Sequence, residues 1–239
     1  MPLPKIATPT YELELPSTGK TIKFRPFLVK EEKLLVLALE SDDTKEITNA
    51  VKAVLKDCIQ TRGVKVETLP TFDIEFLFLN IRGKSVGEDI EVSVLCPDDG
   101  ETYVEVEINI DDIKVSKDGD HSNQIKLDDK LMMEMRYPSL DQFIKNNFDF
   151  GKENQVDQSF DLIGSCIDKI YSEDEVWASD DFSKKEIIEF LEQMNSSQFK
   201  SVEKFFSTMP KLSHEVEITN PKTKKTSKVV LEGLASFFA

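Results

Sequence analysis

The chain has few of the residues on which most enzyme active sites depend. Its 239 residues include two histidines, three cysteines and one tryptophan. A Ser-His-Asp or Cys-His nucleophile needs a histidine, and neither His121, in an acidic loop, nor His214, at the start of the last predicted hairpin, has a nucleophile-elbow sequence nearby. We interpret both histidines as surface residues and expect a protein that is not an enzyme.

Long apolar runs are also missing. The longest, LLVLAL at 34–39 and FDIEFLFLNI at 72–81, are far shorter than the ~20 residues that a membrane-spanning helix needs. The opening MPLPKIATPT lacks the basic and then apolar segments of a secretory signal. Three widely spaced cysteines, Cys58, Cys96 and Cys166, fit a reducing compartment. We therefore expect a soluble protein, made in the cytoplasm, with no membrane partner.

Basic residues are too few for binding to nucleic acid. The formal net charge is −15, and residues 86–135 alone contain 15 acidic residues against four lysines. A phosphate backbone needs a basic surface. The acidic segment is therefore expected to face solvent or the basic surface of another protein.

Motifs for small-molecule substrates are absent too. PSTGKT at 16–21 resembles the end of a phosphate-binding loop, but it lacks the first glycine and a strand pattern follows it instead of a helix. We interpret it as a hairpin turn. The many acidic residues offer carboxylate pairs, yet none lies in an aromatic-rich context such as glycosidases use. We expect no small-molecule substrate.

One turn resembles half of a zinc knuckle. In the sequence CPDDG at 96–100, Asp99 occupies the position where a second cysteine would complete the metal-binding turn. A matching turn in the last hairpin has Asn220 and flanking lysines where thiolates would be needed. A metal could still be bound by Cys96 together with Asp98, Asp99 and either His121 or His214. The favoured interpretation is two plain turns, with no metal and no cofactor.

Hydrophobic periodicity predicts an α+β protein. An N-terminal β-hairpin with helices should lead to a central antiparallel β region, then to a C-terminal helical bundle closed by a β-hairpin. The expected elements are a hairpin across 11–24, a strongly buried helix at 30–41, a helix from Thr44 that ends at Gly63, a helix at 71–82, strands within 88–96, 101–110 and 124–138, and a hairpin across 214–233.

The region after residue 138 should be largely helical. Ser139 and Gln142 form a capping box for a short helix ending near Asn147. Further along, the pattern predicts an apolar helical stripe, a second capping box and a last helix before Pro210. The residues of the stripe are Val156, Phe160, Ile163, Ile167 and Ile170; the capping box is Ser183 with Glu186, and the last helix covers 195–206.

Three segments are expected from these patterns. Residues 1–10 form a flexible arm, 11–150 an N-terminal α+β domain with an acidic β region, and 151–239 a helical region that ends in a β-hairpin and an apolar tail. The polar stretch 147–158 is the best linker candidate. The two larger segments could also pack as one unit.

Four residues are predicted to contact a partner. Phe237 and Phe238 lie in an apolar tail that either folds back over its own hairpin or inserts into a neighbour's groove. Asp98 and Asp99 belong to the acidic segment, which suits a basic partner.

Several structural motifs are spread over most of the chain. They are LPSTGK at 15–20, FRPF at 24–27, VKEEK at 29–33, LPTFDIEFLFLNIRGKSVGE at 69–88 and VVLEGLASFF at 229–238. On these motifs, the sequence resembles the baseplate hub subunit family of T-even-like contractile-tailed phages. Members of that family can carry Cys-x-x-Cys at one or both knuckles, and this chain departs from that pattern at Asp99 and around Asn220.

The resemblance implies a structural subunit of the baseplate hub, which acts through contacts with other baseplate or hub proteins. Its expected location is the tail baseplate of the virion, and the host cytoplasm during assembly. The resemblance equally allows an assembly chaperone that leaves before the particle matures. A metal-dependent or acid-base enzyme is a third hypothesis, from a different class.

Overall fold

The structure is a computed structural model that describes residues 6–41, 43–140, 155–233 and 236. Its α-helices are Val29–Glu40 (α1), Thr44–Cys58 (α2), Thr71–Val86 (α3), Gln155–Ser165 (α4), Lys184–Glu192 (α5) and Ser196–Thr208 (α6). Its strands are Tyr11–Glu14 (β1), Thr21–Phe24 (β2), Asp89–Leu95 (β3), Tyr103–Asn109 (β4), Lys114–Ser116 (β5), Gln124–Lys126 (β6), Met132–Met135 (β7), Ile167–Tyr171 (β8), Val176–Ala178 (β9), Lys211–Thr219 (β10) and Thr226–Glu232 (β11).

All described strand pairs are antiparallel. Two sheets are the two-stranded hairpins β1-β2 and β3-β4, and the others have the orders β11-β10-β5 and β6-β7-β8-β9. The chain divides into two compact units. Unit 1 contains the described residues before 67, from 72 to 116 and from 211 onward, and unit 2 contains those from 67 to 71 and from 117 to 210.

The core of unit 1 lies between the β3-β4 and β10-β11 hairpins. Every second residue of β3 is buried, because successive side chains of a strand point to opposite faces. The buried side chains of these hairpins form one apolar cluster with Leu79 of α3. The strand residues of the cluster include Ile90, Val92, Val94, Ile108, Leu212, Val216, Ile218 and Leu231.

The core of unit 2 joins its four-stranded sheet to helices α4, α5 and α6. Met133 and Ile170 are cross-strand partners and are both buried. Phe205 of α6 is 2% exposed and packs in the same cluster. Unit 2 is therefore a sheet covered by helices.

Helix α3 begins with a buried carboxylate that ties it to the first hairpin. Asp73 is fully buried and accepts hydrogen bonds from the backbone N–H and the hydroxyl of Ser17, in the β1-β2 turn. Burial raises the pKa of Asp73, whereas the bonds from Ser17 favour its charged form. The PSTGKT segment is thus a hairpin turn, as predicted, with Gly19 at φ 67°.

A second buried carboxylate fixes the start of α1. The Glu31 side chain is 3% exposed and accepts a hydrogen bond from Arg25 Nη2 at 2.8 Å. Its other oxygen accepts the N–H of Leu28 at 2.8 Å, and exposed Lys30 lies 3.0 Å away. Burial alone would raise the pKa of Glu31, but these hydrogen bonds lower it to about 2.

Most of the predicted local elements are confirmed. The first and last hairpins, the strands β3 and β4, and the helices α1, α2 and α3 occur where the periodicity places them. The capping box of Ser183 and Glu186 is present in full, and Asn195 caps α6. The broad assignment to a mixed helix and antiparallel-sheet protein is therefore correct.

Several details of the N-terminal half were predicted wrongly. Helix α1 is not strongly buried, because Leu34, Val36 and Leu37 are 39%, 48% and 53% exposed. Helix α2 ends at Cys58. Gly63 lies beyond it, with a φ of 82° that suits the turn following the helix.

The predicted C-terminal helical bundle is also wrong. Ile167 and Ile170 continue the helical spacing of α4, but they lie in strand β8. Met133 and Glu134 of β7 pair with β8, so the backbone of the IDKIY segment finds sheet partners. Short β-branched segments fit either pattern, and only long-range pairing decides between them.

The acidic connection after β4 contains a strand that the sequence analysis missed. Residues Lys114–Ser116 pair with the start of β10. The segment 124–138, where the pattern predicts at least one strand, forms two strands joined by a turn in which Asp128 accepts the N–H groups of Lys130 and Leu131.

Other predictions fall on residues outside the described ranges. The helix from the Ser139 capping box covers residues 141–147, and most of the linker candidate lies at 147–154. The division near residue 150 also falls there and stays a prediction. Of the expected N-terminal arm, residues 6–10 are described without regular structure, and Ile6 is 92% exposed.

Replacing Arg25 by methionine should destabilise the fold, because it leaves the Glu31 carboxylate buried without its main partner. We expect the Arg25→Met variant to lose about 3 kcal/mol of unfolding free energy at pH 7 in urea titrations. Lys23→Met is the control, since Lys23 and Glu12 are both about 60% exposed. Its loss should stay below about 1 kcal/mol.

The same pair should make stability depend on acid pH. The folded pKa of Glu31 lies below its unfolded value, so its contribution is complete above pH 4.5 and is lost as the pH falls toward 2. Equal losses of unfolding free energy at pH 7 for Arg25→Met and Lys23→Met would show that the buried ion pair contributes no more to stability than an exposed one.

Candidate functional site

The CPDDG segment is the turn between β3 and β4. The N–H of Gly100 donates to the carbonyl of Cys96 at 3.0 Å, and Gly100 has a left-handed φ of 68°. Asp99 accepts the N–H groups of Glu101 and Thr102 through one oxygen and the Thr102 hydroxyl through the other. The turn is therefore held by the aspartate that replaces the second knuckle cysteine.

The turn between β10 and β11 has the same plan. Its residues are Asn220, Pro221, Lys222, Thr223 and Lys224. The N–H of Lys224 donates to the carbonyl of Asn220 at 2.9 Å, and Lys224 has a φ of 63°. In both turns proline is second and the fifth residue is left-handed, so the resemblance between the two hairpins extends to their backbone.

The two turns face each other and are joined by side-chain hydrogen bonds. The Nδ2 atom of Asn220 donates to Asp98 Oδ1 and to Asp99 Oδ2, each at 2.9 Å. The hydroxyl of Thr223 donates to the other oxygen of Asp98. Asn220 is only 1% exposed, so its amide is committed to this junction.

These bonds set the charge states of the junction. Hydrogen bonds from Thr223 and Asn220 lower the pKa of Asp98, and those from Thr102 and Asn220 hold the pKa of Asp99 well below its usual range. Burial, together with the charges of Asp98 and Asp99, raises the pKa of the Cys96 thiol. At neutral pH the junction thus holds two carboxylates and a protonated thiol.

The junction does not fit a zinc ion. The first and fourth positions of the two turns hold Cys96, Asp99, Asn220 and Thr223 in place of four thiolates. The amide and the hydroxyl donate protons toward the carboxylates, an arrangement opposite to that around a cation. Within the described ranges, no group of three or more His, Cys, Asp or Glu side chains is placed to hold a metal.

The structure describes two of the four predicted partner-binding residues. Asp98 and Asp99 lie together at the junction, with their oxygens bound inside unit 1, and their contact with a partner stays a prediction. Phe237 and Phe238 lie outside the described residues. Sequence analysis missed Asn220 as the connecting residue, although the shared Xaa-Pro turn plan could have indicated it.

His121 is not the freely exposed residue that the sequence predicts. Its Nδ1 lies 2.9 Å from the Thr208 hydroxyl and its Nε2 3.0 Å from the Tyr137 hydroxyl. The ring also packs on Phe205, with centroids 5.2 Å apart. Burial, followed by the charge of Lys117, lowers the pKa of His121. These contacts indicate a structural role in unit 2.

Unit 2 also contains a pocket of about 350 Å³ between α4 and α5. Its charged side chains are engaged in the fold. Arg136 donates to the Ser165 carbonyl at 3.0 Å, and Lys184 forms an ion pair with Asp161. The pocket therefore supplies no obvious acid, base or nucleophile.

Substituting Asn220 should loosen the junction of the two turns. Asn220→Ala leaves the oxygens of Asp98 and Asp99 without their shared donor, and we expect a loss of about 1–3 kcal/mol in unfolding free energy. Lys222→Ala, in the same turn but exposed, is the control. Asn220→Asp should be more damaging at pH 7 than at pH 4, because it adds a third carboxylate. If Asn220→Ala and Lys222→Ala behave alike, the amide does not hold the hairpins together.

His121 should make the stability of the protein sensitive to mild acid. Its folded pKa lies below the unfolded value of about 6.5, so the unfolded state gains protons first and stability falls as the pH drops through that range. Urea unfolding at pH 7.5 and 5.5 should show a smaller pH effect in His121→Gln than in the unsubstituted protein. His214→Gln is the control, and an identical pH effect in both variants would contradict the prediction.

None of the helices in the described part of the chain has the length and apolar content that crossing a bilayer requires.

Comparison with known proteins identifies a family for this chain. No significant match was found among curated proteins or among solved structures. The family described as T4 bacteriophage base plate protein matches residues 8–239, which is nearly the whole chain. The chain therefore belongs to the T4 bacteriophage base plate protein family.

Proposed function

We propose that the protein is a structural subunit of the baseplate hub of a contractile phage tail, and that it acts through contacts with other baseplate proteins. The observation that carries this proposal is the family match over residues 8–239. The hydrogen-bonded junction of the two turns supports it, since that junction joins parts of the protein and offers no reactive group. The protein has no enzymatic activity and uses no cofactor or small-molecule substrate.

The outer face of the β3-β4 hairpin supports a role in binding basic proteins. Glu91 lies directly opposite Glu107, and Glu105 lies opposite Ser93. Within the described ranges, none of these three glutamates forms an ion pair or hydrogen bond with a basic side chain. Like charges facing each other across a hairpin are destabilising. A basic partner would remove this cost and would be attracted from a distance.

The neighbouring β10-β11 hairpin has a different charge arrangement. Lys228 pairs with Glu215 at 2.7 Å, and Lys211 pairs with Glu232 at 3.4 Å. On the β10-β11 hairpin, Glu215 and Glu232 are thus each paired with a lysine. The uncompensated β3-β4 face would attract a basic partner and would repel nucleic acid.

The composition of purified particles tests the proposal. We expect mass spectrometry to find this chain in intact tails, in a fixed ratio to other baseplate proteins. Presence in infected cells together with absence from tails would instead indicate an assembly chaperone. In both cases the chain should be found in the host cytoplasm during assembly.

The apolar tail is expected to contribute to partner binding. Burying two phenylalanine side chains is worth on the order of 3–6 kcal/mol. The double substitution Phe237→Ser and Phe238→Ser should therefore reduce incorporation into tails strongly, while it lowers the melting temperature little. A large drop in melting temperature, with unchanged binding per folded molecule, would instead place these side chains in the core.

A further inference from the structure

The β8-β9 hairpin of unit 2 exposes apolar side chains within an acidic segment. Strand β9 contains Trp177, the only tryptophan of the chain, which is 39% exposed, and Val176, which is 63% exposed. Trp177 lies opposite Ile170 and Val176 opposite Tyr171, so the two exposed side chains are on opposite faces of the hairpin. Both faces of this edge strand therefore offer apolar surface.

The charged residues around these side chains are all acidic. Residues 172–181, SEDEVWASDD, contain five acidic residues and no lysine or arginine. Nearby basic groups are engaged elsewhere: Lys169 pairs with Glu134 at 3.0 Å, and Arg136 donates to the Ser165 carbonyl and contacts Asp168 at 4.0 Å. The acidic tip is left uncompensated.

The hairpin is held in one shape. Ser172 closes the turn, because its N–H donates to the Glu175 carbonyl at 2.8 Å and its hydroxyl accepts the N–H of Glu175 at 3.1 Å. At the other end, the N–H of Ser179 donates to the Asp168 carbonyl at 2.9 Å. A preformed hairpin loses little conformational entropy when it binds.

The outer edge of β9 is partly closed to a further strand. The N–H of Ala178 donates to the Asp181 side chain at 2.7 Å, and its carbonyl accepts the N–H of Asp181 at 2.9 Å. Addition of a long partner strand would have to break both bonds. Recognition through the side chains of Val176 and Trp177 needs no such change.

We propose that the β8-β9 hairpin inserts Val176 and Trp177 into an apolar cleft, rimmed by lysine or arginine, on another protein. Tryptophan is enriched among residues that dominate binding energy at interfaces. The acidic rim suits a basic rim on the partner and opposes binding to nucleic acid or anionic lipid. This proposal rests on the proposed function only in placing the partner among the other baseplate proteins.

Charge also argues against two other binding partners for this hairpin, a second copy of the chain and the segments outside the described ranges. A second copy of the chain carries a net charge of −15, which opposes self-association at an acidic tip. Taken together, the residues outside the described ranges supply no basic excess either. Residues 1–5 contain one lysine, position 42 is an aspartate, residues 141–154 contain two lysines and three acidic residues, and residues 234–239 contain no charged side chain.

Photo-crosslinking during assembly tests the proposal directly. A photoreactive amino acid would replace Val176 in infected cells, with Lys185, whose side chain is 86% exposed, as the control position in the same unit. We expect position 176 to crosslink to a different baseplate protein, at a peptide with a net positive charge. Crosslinks only within the chain, to a second copy, to lipid or nucleic acid, or equally from position 185 would overturn the proposal.

The lone tryptophan then provides a binding signal. With the crosslinked protein purified, Trp177 fluorescence should shift to shorter wavelength on mixing. Trp177→Ala should weaken binding at least tenfold, measured by calorimetry. Asp174→Asn with Glu175→Gln should reduce the salt dependence of binding, whereas Glu189→Gln with Glu192→Gln on α5 should not. Unchanged affinity and salt dependence in these variants would overturn the proposal.

The two proposals fail in different ways. A chain present in tails that gives no crosslink from position 176 contradicts the hairpin proposal alone. A chain that crosslinks from position 176 in cells but is absent from tails contradicts the structural role, and the hairpin proposal stands.

Discussion

The bond between the Asn220 amide and the carboxylates of Asp98 and Asp99 holds the ends of two hairpins together. These residues are more than 120 positions apart in the chain, and both hairpins contribute to one apolar core. A metal would make the same connection through four thiolates. Here the buried amide of Asn220 and the hydroxyl of Thr223 make it by donating hydrogen bonds to carboxylates, so the connection requires no metal and no particular redox state.

The acidic residues of the chain fall into two groups. Glu31, Asp73, Asp98 and Asp99 have partners inside the fold, where they fix a helix start or a turn. The carboxylates of the β3-β4 face and the β8-β9 tip form no ion pair with a lysine or arginine among the described residues. The β3-β4 face and the β8-β9 tip are therefore acidic surfaces that a basic protein could approach.

Some large apolar side chains of the chain are also exposed. Leu34, Val36 and Leu37 of α1 remain exposed, although the LLVLAL run resembles a buried helix, and Trp177 of β9 is 39% exposed. Exposed apolar side chains cost free energy in an isolated subunit, and this cost is removed when a neighbouring subunit covers them. This arrangement agrees with a base plate protein, which works among neighbours.

The sequence by itself determined the local elements. Alternating apolar residues determine the hairpins, and helical spacing with the Ser183 and Asn195 caps determines the helices. Tertiary structure alone decided that the two Xaa-Pro turns meet, that Ile167 and Ile170 lie in a strand, and that α1 leaves apolar side chains uncovered. The physical reason is range: caps and turns act within a few residues, whereas these outcomes depend on which distant strand supplies a hydrogen-bond partner or a covering side chain.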